Sequence, residues 1–237
     1  MTAPDWSSFW DNYPRRAGSD DLLRQVGKTV NGVPITEQQL HLLVDSICTS
    51  LQLSRDDQLL DLCCGNGLLT RTLAQHCRTA TGIDFSAPLI EAAQQQCAAS
   101  NVQYFRLDVR NLEQLAALKG QTFTKVLCYE ALAFLDPAEL NRLLIHVLGL
   151  TTKAPTILLG SVLDRDRIWN FFNTTRRKWL YFFHIKIRRQ EVGLGRWWRR
   201  QEIVDIANES GFSCDVLDQP MQLHTAHYRF DAVLSKK

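Results

Sequence analysis

From residue 59 to residue 162 the chain alternates short apolar runs with helical stretches, and no other feature narrows its possible folds as far. The runs cover 59–63, 79–84, 102–107, 125–129 and 155–162. Strands that are apolar along their whole length and separated by helices belong to a parallel sheet covered on both faces. Asp136, Pro137 and Glu139 supply an N-cap, a proline at the first helical position and a capping-box acid for a helix running to about Leu148. Upstream, 36–53 reads as an amphipathic helix, with Thr36 and Gln39 as a capping box and Leu40, Leu43, Val44 and Ile47 on one face. Downstream, 201–210 is helical and stops at Gly211, and 212–217 and 228–235 are strands. The ten-residue link 218–227 leaves no room for a crossover helix, so the last two strands are expected to run antiparallel. One domain spanning 1–237 accommodates all these elements.

The chemistry concentrates where the first of these strands ends. In Leu59-Leu60-Asp61-Leu62-Cys63-Cys64-Gly65-Asn66-Gly67-Leu68-Leu69-Thr70 a strand gives way to small residues and glycines and then to a helix. Backbone N–H groups there can approach a ligand with no Cβ in the way. Nineteen residues beyond Gly65, Asp84 closes the next strand, where a carboxylate can accept both hydroxyls of a ribose. The pair points to an adenosine-containing ligand. A nicotinamide site expects GxGxxG, and Gly65-Asn66-Gly67-Leu68-Leu69-Thr70 has threonine at the third glycine. In the other reading Asp61, four residues before Gly65, faces a cationic group, such as the amino group and sulfonium of S-adenosylmethionine.

These motifs resemble those of the class I S-adenosylmethionine-dependent methyltransferases, whose first motif joins an acid, small residues and GxG at the end of the first strand. The likeness runs from about Thr36 to Val162 and, with the antiparallel last strand, over most of the domain. It implies an α/β fold with a doubly wound, mostly parallel, seven-stranded Rossmann-like sheet. It also implies S-adenosylmethionine as cofactor and methyl transfer as the activity. Asp61, Cys63, Gly65, Asn66 and Gly67 match the loop that holds the methionine part, and Gly82-Ile83-Asp84-Phe85-Ser86 matches the ribose-binding strand end. Leu107-Asp108-Val109 matches the adenine site, where an Asp side chain and the following N–H read the base, and Tyr129 and Glu130 end the fourth strand beside methionine and substrate. The family usually has glycine where Cys63 stands, and the cysteine is expected to be accommodated there without a positive φ.

Ligands of open α/β sheets sit beyond the carboxyl ends of the strands. That edge brings together Tyr129, Glu130 and the 218–227 link. Among the candidate catalytic residues His224 ranks first as general base, Glu130 second, with Tyr129 beside them. A hydroxyl acceptor gains from such a base, whereas an amine that binds neutral needs none.

With 45% hydrophobic and 22% charged residues and a net charge of +2, the chain is neither disordered nor uniformly basic. It has no uninterrupted apolar run of about 18 residues, and its first 11 residues lack the basic-then-apolar order of a signal peptide. A cytoplasmic location is expected. The seven cysteines read as reduced, and no Cys/His set at metal spacing suggests a metal site. The small net charge conceals an uneven distribution. From Arg165 to Arg200 eleven Lys or Arg face two acids, so this stretch carries about +9 and the remainder about −7. It also holds nine of the 22 aromatic residues.

Residues 164–200 therefore read as a substrate insertion. Two aromatic clusters (Trp169, Phe171 and Phe172; Trp179, Tyr181, Phe182 and Phe183) are expected to wall an apolar acceptor while arginines hold its anionic group. Residues 1–35 read as a helical lid, with Trp6, Phe9, Trp10 and Tyr13 on one face. The overall expectation is methyl transfer to an O or N atom of a small hydrophobic or anionic molecule, with no nucleic-acid partner. The rivals are a nicotinamide-dependent oxidoreductase and a non-catalytic cofactor-binding module at a membrane surface or partner protein.

Overall fold

A computed structural model of the chain describes residues 6–18, 21–111, 113–118, 120–183 and 194–237. A short hairpin, β1 (Thr29–Val30) and β2 (Val33–Pro34), precedes the main sheet. That sheet consists of β3 (Gln58–Leu62), β4 (Thr79–Asp84), β5 (Val102–Arg106), β6 (Phe123–Tyr129), β7 (Thr151–Leu163), β8 (Phe212–Asp218) and β9 (Arg229–Lys236). Its strand order is β5-β4-β3-β6-β7-β9-β8. β9 runs antiparallel to β7 and β8, and the remaining pairs are parallel. The order reverses between β3 and β6, the point where open α/β sheets leave a crevice for ligands.

Helices α1 (Trp6–Asn12), α2 (Leu22–Gln25) and α3 (Glu37–Leu51) come before the sheet, and α4 (Leu68–Leu73), α5 (Ala87–Gln96) and α6 (Pro137–Leu148) lie between its strands. α7 (Ile168–Phe171) and α8 (Thr175–Phe182) follow β7, and α9 (Arg200–Glu209) leads into β8. Successive residues of the central strands serve opposite faces, as the two-residue strand period requires. Leu59, Leu127 and Leu158 pack with Leu43, Ile47 and Leu51 of α3, whereas Leu60, Val126 and Ile157 pack with Leu140 and Leu144 of α6 and Ile203 of α9. Each fully buried leucine contributes about 1.5–3 kcal/mol, so both layers hold the sheet's site-bearing edge in place.

The capping box of α6 forms as expected, Asp136 accepting from Glu139 N–H and Glu139 from Asp136 N–H. At α3 only half of the expected box exists. Thr36 accepts from Gln39 N–H, but the Gln39 side chain reaches across to the 218–227 link, donating to the Gln222 carbonyl at 2.8 Å. The β1–β2 hairpin was not foreseen, although Asn31-Gly32 at φ 52° and 80° is the signature of its turn.

The base of the 164–200 segment is latched to the sheet. Trp198 N–H donates to the Leu163 carbonyl, Arg165 N–H to the Trp198 carbonyl, and the fully buried Trp198 indole to the Leu132 carbonyl at 2.9 Å. Buried Asp164 pairs with Arg167 and Arg200, and both arginines also reach Asp218. Residues 184–193 of this segment lie outside the described residues. We expect Trp198→Ala, which opens a cavity and strands the Leu132 carbonyl, to cost about 3–5 kcal/mol in urea unfolding. A loss below about 1 kcal/mol would show that the latch is not structural.

Candidate active site

Three neighbouring strands carry left-handed residues that are not glycine at or near their carboxyl ends. Cys63 follows β3 at φ 58°, Glu130 follows β6 at φ 60°, and Ser161 sits at φ 57° in the bulge of β7 opposite β9. Such conformations cost about 1–3 kcal/mol each and gather at functional sites. The expectation that Cys63 avoids a positive φ is thus corrected. Its thiol is held by Cys128 and its side chain packs on the core, so the loop keeps its course despite the Cβ. All three residues stand at the carboxyl edge of the sheet, which opens, with the N-terminal elements above it, onto a cavity of about 720 Å³.

On the β5-β4-β3 half, carboxylates dominate. Asp84 accepts from Gly65 N–H at 3.0 Å and Ser86 N–H at 2.9 Å, yet burial pushes it up to about 6. Asp61 accepts from the Thr70 hydroxyl at 2.6 Å, and burial, reinforced by Asp84, pushes it up to about 7. Asp61, Cys63, Gly65, Asp84, Phe85, Asp108 and Val109 all line the cavity. Asn66 is fully buried and its amide is used inside the protein, donating to the Leu22 carbonyl and to Gln25, so it ties α2 to the loop. Gly67 is a correction. It does not line the cavity, and a Cβ there would meet the Tyr104 ring at 2.6–2.7 Å, so its glycine serves loop packing.

Asp108 is also reached differently from the expectation. Arg110 forks its carboxylate at 2.7 and 3.0 Å, and this pairing outweighs burial to hold Asp108 below the usual range. Arg110 lies 5.7 Å from the Phe85 ring centre. Asp11 of α1, which the sequence reading did not single out, joins the same acidic corner. It raises Asp84 electrostatically, and its buried Oδ1 has no hydrogen-bond partner in the protein.

On the β6-β7-β9 half, cations balance the acids. Glu130 receives Lys28 Nζ at 2.9 Å, with Arg229 Nη1 at 3.8 Å. Burial alone would raise this carboxyl, but Lys28 and Arg229 outweigh it and hold it at about 2. Glu130 is therefore an ion-pair partner and a weak base, not the second-choice general base of the sequence reading. Lys28 also lies 5.2 Å from the Tyr129 ring centre, and burial keeps the Tyr129 hydroxyl protonated. Arg229 donates to the Ser161 carbonyl at 2.7 Å, and Asp231 accepts from Ser161 N–H. Lys28 carried no sequence signal, but Arg229 and Asp231 did, as two charges two residues apart in an apolar strand.

His224 lines the cavity too. Gln39 Nε2 is committed to Gln222, so its Oε1 faces His224, accepting from the backbone N–H at 3.0 Å and lying 3.2 Å from Nδ1. Nδ1 must then carry the proton, leaving Nε2 as the basic nitrogen. Burial lowers the pKa of His224, more than Glu130 raises it, so the ring is neutral at pH 7.

The aromatic walls divide. Trp6, Phe9, Trp10 and Tyr13 line the cavity, Phe9 stacks on Tyr13, and Trp6 and Trp10 meet Phe134 edge-on, while Phe171 and Tyr228 line it on the insertion side. Trp169, Trp179, Tyr181, Phe182 and Phe183 do not line it, which corrects their expected role as acceptor walls. Of the segment's described arginines, Arg177 lines the cavity, while Arg167, Arg196 and Arg200 are ion-paired within the fold.

Comparison with known proteins relates this arrangement to methyltransferases. Residues 59–153 match the model of a methyltransferase domain. A stretch of 53 residues is 45% identical to an uncharacterized methyltransferase of Schizosaccharomyces pombe, covering 22% of this chain and 20% of that protein. A stretch of 112 residues is 32% identical to the ubiquinone biosynthesis O-methyltransferase of Xanthomonas euvesicatoria, covering 45% of this chain and 46% of that one. The chain thus spans less than half the length of these curated relatives. Magnesium protoporphyrin IX methyltransferase of Synechocystis, solved with S-adenosylhomocysteine, shares the fold at a TM-score of 0.63 and 16% identity over 98% of this chain and 100% of that one. Residues 59–153 thus match a methyltransferase family model, and the chain has the fold of solved S-adenosylmethionine-dependent methyltransferases.

The residues present fit that family's cofactor. An orphaned Asp11 oxygen and the buried, poorly neutralised Asp61 and Asp84 call for a ligand rich in donors and bearing positive charge. A ligand ammonium beside Asp61 favours its ionised form, so binding releases a proton below pH 7 and affinity rises with pH. We expect S-adenosylhomocysteine to bind about tenfold more weakly at pH 6 than at pH 8 by calorimetry. Asp61→Asn should remove most of that dependence, leaving the part of Asp84 below about pH 6. An unaltered profile in the variant would exclude Asp61 as the group responsible.

Proposed function

We propose that the chain transfers a methyl group to an oxygen of a small, largely apolar molecule carrying an anionic group. The observation that carries this reading is the polarity of one cavity. Carboxylates gather at the ends of β3, β4 and β5, and Lys28, Arg177, Arg229 and His224 stand with Phe171 and Tyr228 on its other lining. The bound cofactor supplies an electrophilic methyl carbon on a sulfonium. Asp61 would hold its amino group and Asp84, with Asp11, its ribose hydroxyls, while Phe85, Asp108, Arg110 and Val109, which line the same cavity or its acidic corner, would frame the adenine. Gly65, with φ 58°, lets the loop backbone approach.

Displacement at a sulfonium carbon depends mainly on alignment and exclusion of water. The aromatic face of α1 closes the cavity near Phe134 and acts as a lid, tied down by the Ser86 hydroxyl on the Trp10 carbonyl at 3.1 Å. His224 Nε2 takes the proton of a hydroxyl acceptor. Tyr129 and the Lys28–Glu130–Arg229 set position the acceptor, and Arg177 supplies its counter-charge. An anionic acceptor oxygen needs no base, and for such a substrate His224 is a positioning residue.

In calorimetry we expect micromolar binding of S-adenosylhomocysteine and none of NADH, and the reverse pattern would restore the oxidoreductase alternative. Asp84→Ala should weaken cofactor binding by about 1–3 kcal/mol; unchanged affinity would remove Asp84 from the ribose site. With a phenolic acceptor, His224→Ala should slow single-turnover transfer by about a hundredfold and abolish the rise of rate with pH in the range where the ring deprotonates. Full activity in that variant would eliminate His224 as base.

A further inference from the structure

The second aromatic cluster of the insertion, excluded from the cavity, is left on the outside of the molecule. In α8, Trp179 is 67% exposed, Phe182 51% and Leu180 47%, with Trp169 of α7 at 50%. Large apolar side chains exposed together mark a contact surface. Of the aromatic residues of α8, Tyr181 turns inward, packing on Phe172 at 4.6 Å and on Trp169 at 5.5 Å between ring centres. Trp179 and Phe182, three residues apart, lie together on the outer side, 6.4 Å between centres.

The charge beside this patch has one sign. Arg176, Arg177 and Lys178 precede Trp179 and are exposed. From Arg167 to Gln190 the sequence holds seven Lys or Arg and no acid. Tryptophan, phenylalanine and leucine interleaved with cations on a short exposed helix match a headgroup region, where rings sit at the acyl boundary and cations meet lipid phosphates. Single-stranded nucleic acid would instead need a groove of free ring faces. Here Phe171, Phe172, Trp197 and Tyr228 pack edge-on or tilted against one another, and the exposed rings stand on the outer side of a helix.

We propose that α7 and α8 dock the protein on the surface of an anionic phospholipid bilayer. No described helix is long and apolar enough to cross a membrane, so the contact is peripheral. Phe171, Asn173 and Arg177 of the same segment line the cavity, so docking sets the cavity rim at the headgroups. An amphiphilic acceptor would reach the site from the leaflet, and that clause alone rests on the proposed methyl transfer.

The test is flotation of the full chain with vesicles of phosphatidylcholine alone and with about one-third phosphatidylglycerol. Wild type should float with the anionic vesicles only, and high salt should release most of it. Arg176→Glu, a change of two charge units, should lower partitioning about twenty-fivefold, at about fivefold per unit of charge. Trp179→Ser combined with Phe182→Ser should lower it at least tenfold, as about two buried rings are lost. Both variants should bind S-adenosylhomocysteine as wild type does, which shows that they are folded. The proposal is overturned if wild type stays with neither vesicle, if the folded variants float as wild type does, or if single-stranded RNA is bound while anionic vesicles are not. Failure of wild type to bind S-adenosylhomocysteine would strike the proposed function and leave the flotation result standing.

Discussion

Three adjacent strands carry backbone turned to positive φ without glycine at or near their carboxyl ends, and much of the site follows from that turn. At Cys63, Glu130 and Ser161 the reversal lifts the chain away from the sheet edge. Glu130 is thereby placed between Lys28 and Arg229, and Ser161 offers its carbonyl to Arg229 and its N–H to Asp231. Strain of about 1–3 kcal/mol per residue persists because the strands beneath are fixed from both faces by leucines that cannot shift without opening cavities. Gly160 contributes at the same edge, since a Cβ there would strike the Tyr129 ring.

Electrostatics then divide the edge. The acidic half holds Asp61 and Asp84 with too few cations to ionise them comfortably, so it is poised for a positively charged, donor-rich ligand. The other half is already neutralised, and its Glu130 serves to hold Lys28 and Arg229 in a low-dielectric wall. Burying two cations beside one carboxylate is costly unless hydrogen bonds and opposite charge surround them. The Ser161 carbonyl and Asp231 supply those on the β9 side. His224 gains its polarity from a residue of α3 that is 185 residues away in sequence but adjacent in space: the Gln39 side chain gives up its capping role to orient the ring.

The parallel core was legible because strands buried on both faces leave continuous apolar runs, and the helices between them carry recognisable caps. The acids at the ends of β3, β4 and β5 were legible for a related reason: each stands at the boundary between such a run and the next turn. Lys28 was not, because its partner Glu130 is 102 residues away and nothing local distinguishes a lysine that will be buried. Asp11 was hidden by its neighbours, since a carboxylate on an amphipathic helix looks solvated until the opposite wall is known. The left-handed turn at Cys63 escaped because a local steric preference of about 1–2 kcal/mol was weighed without the packing that overrides it.

The basic insertion shows most plainly why composition alone misleads. Its charge of about +9 looks like one surface in the sequence, yet the fold assigns its described members to separate tasks. Arg167 and Arg200 lock Asp164 and Asp218 at the base, Arg196 pairs with Glu202, and Arg177 turns to the cavity. The aromatics divide in the same way, Phe171 inward and Trp179 and Phe182 outward. Because the latch lies at the base and is independent of the outer rings, the outward face of α8 can change without loosening the cavity wall. A segment so built joins two surfaces through one rigid foot, and its inner and outer faces are free to serve different ligands.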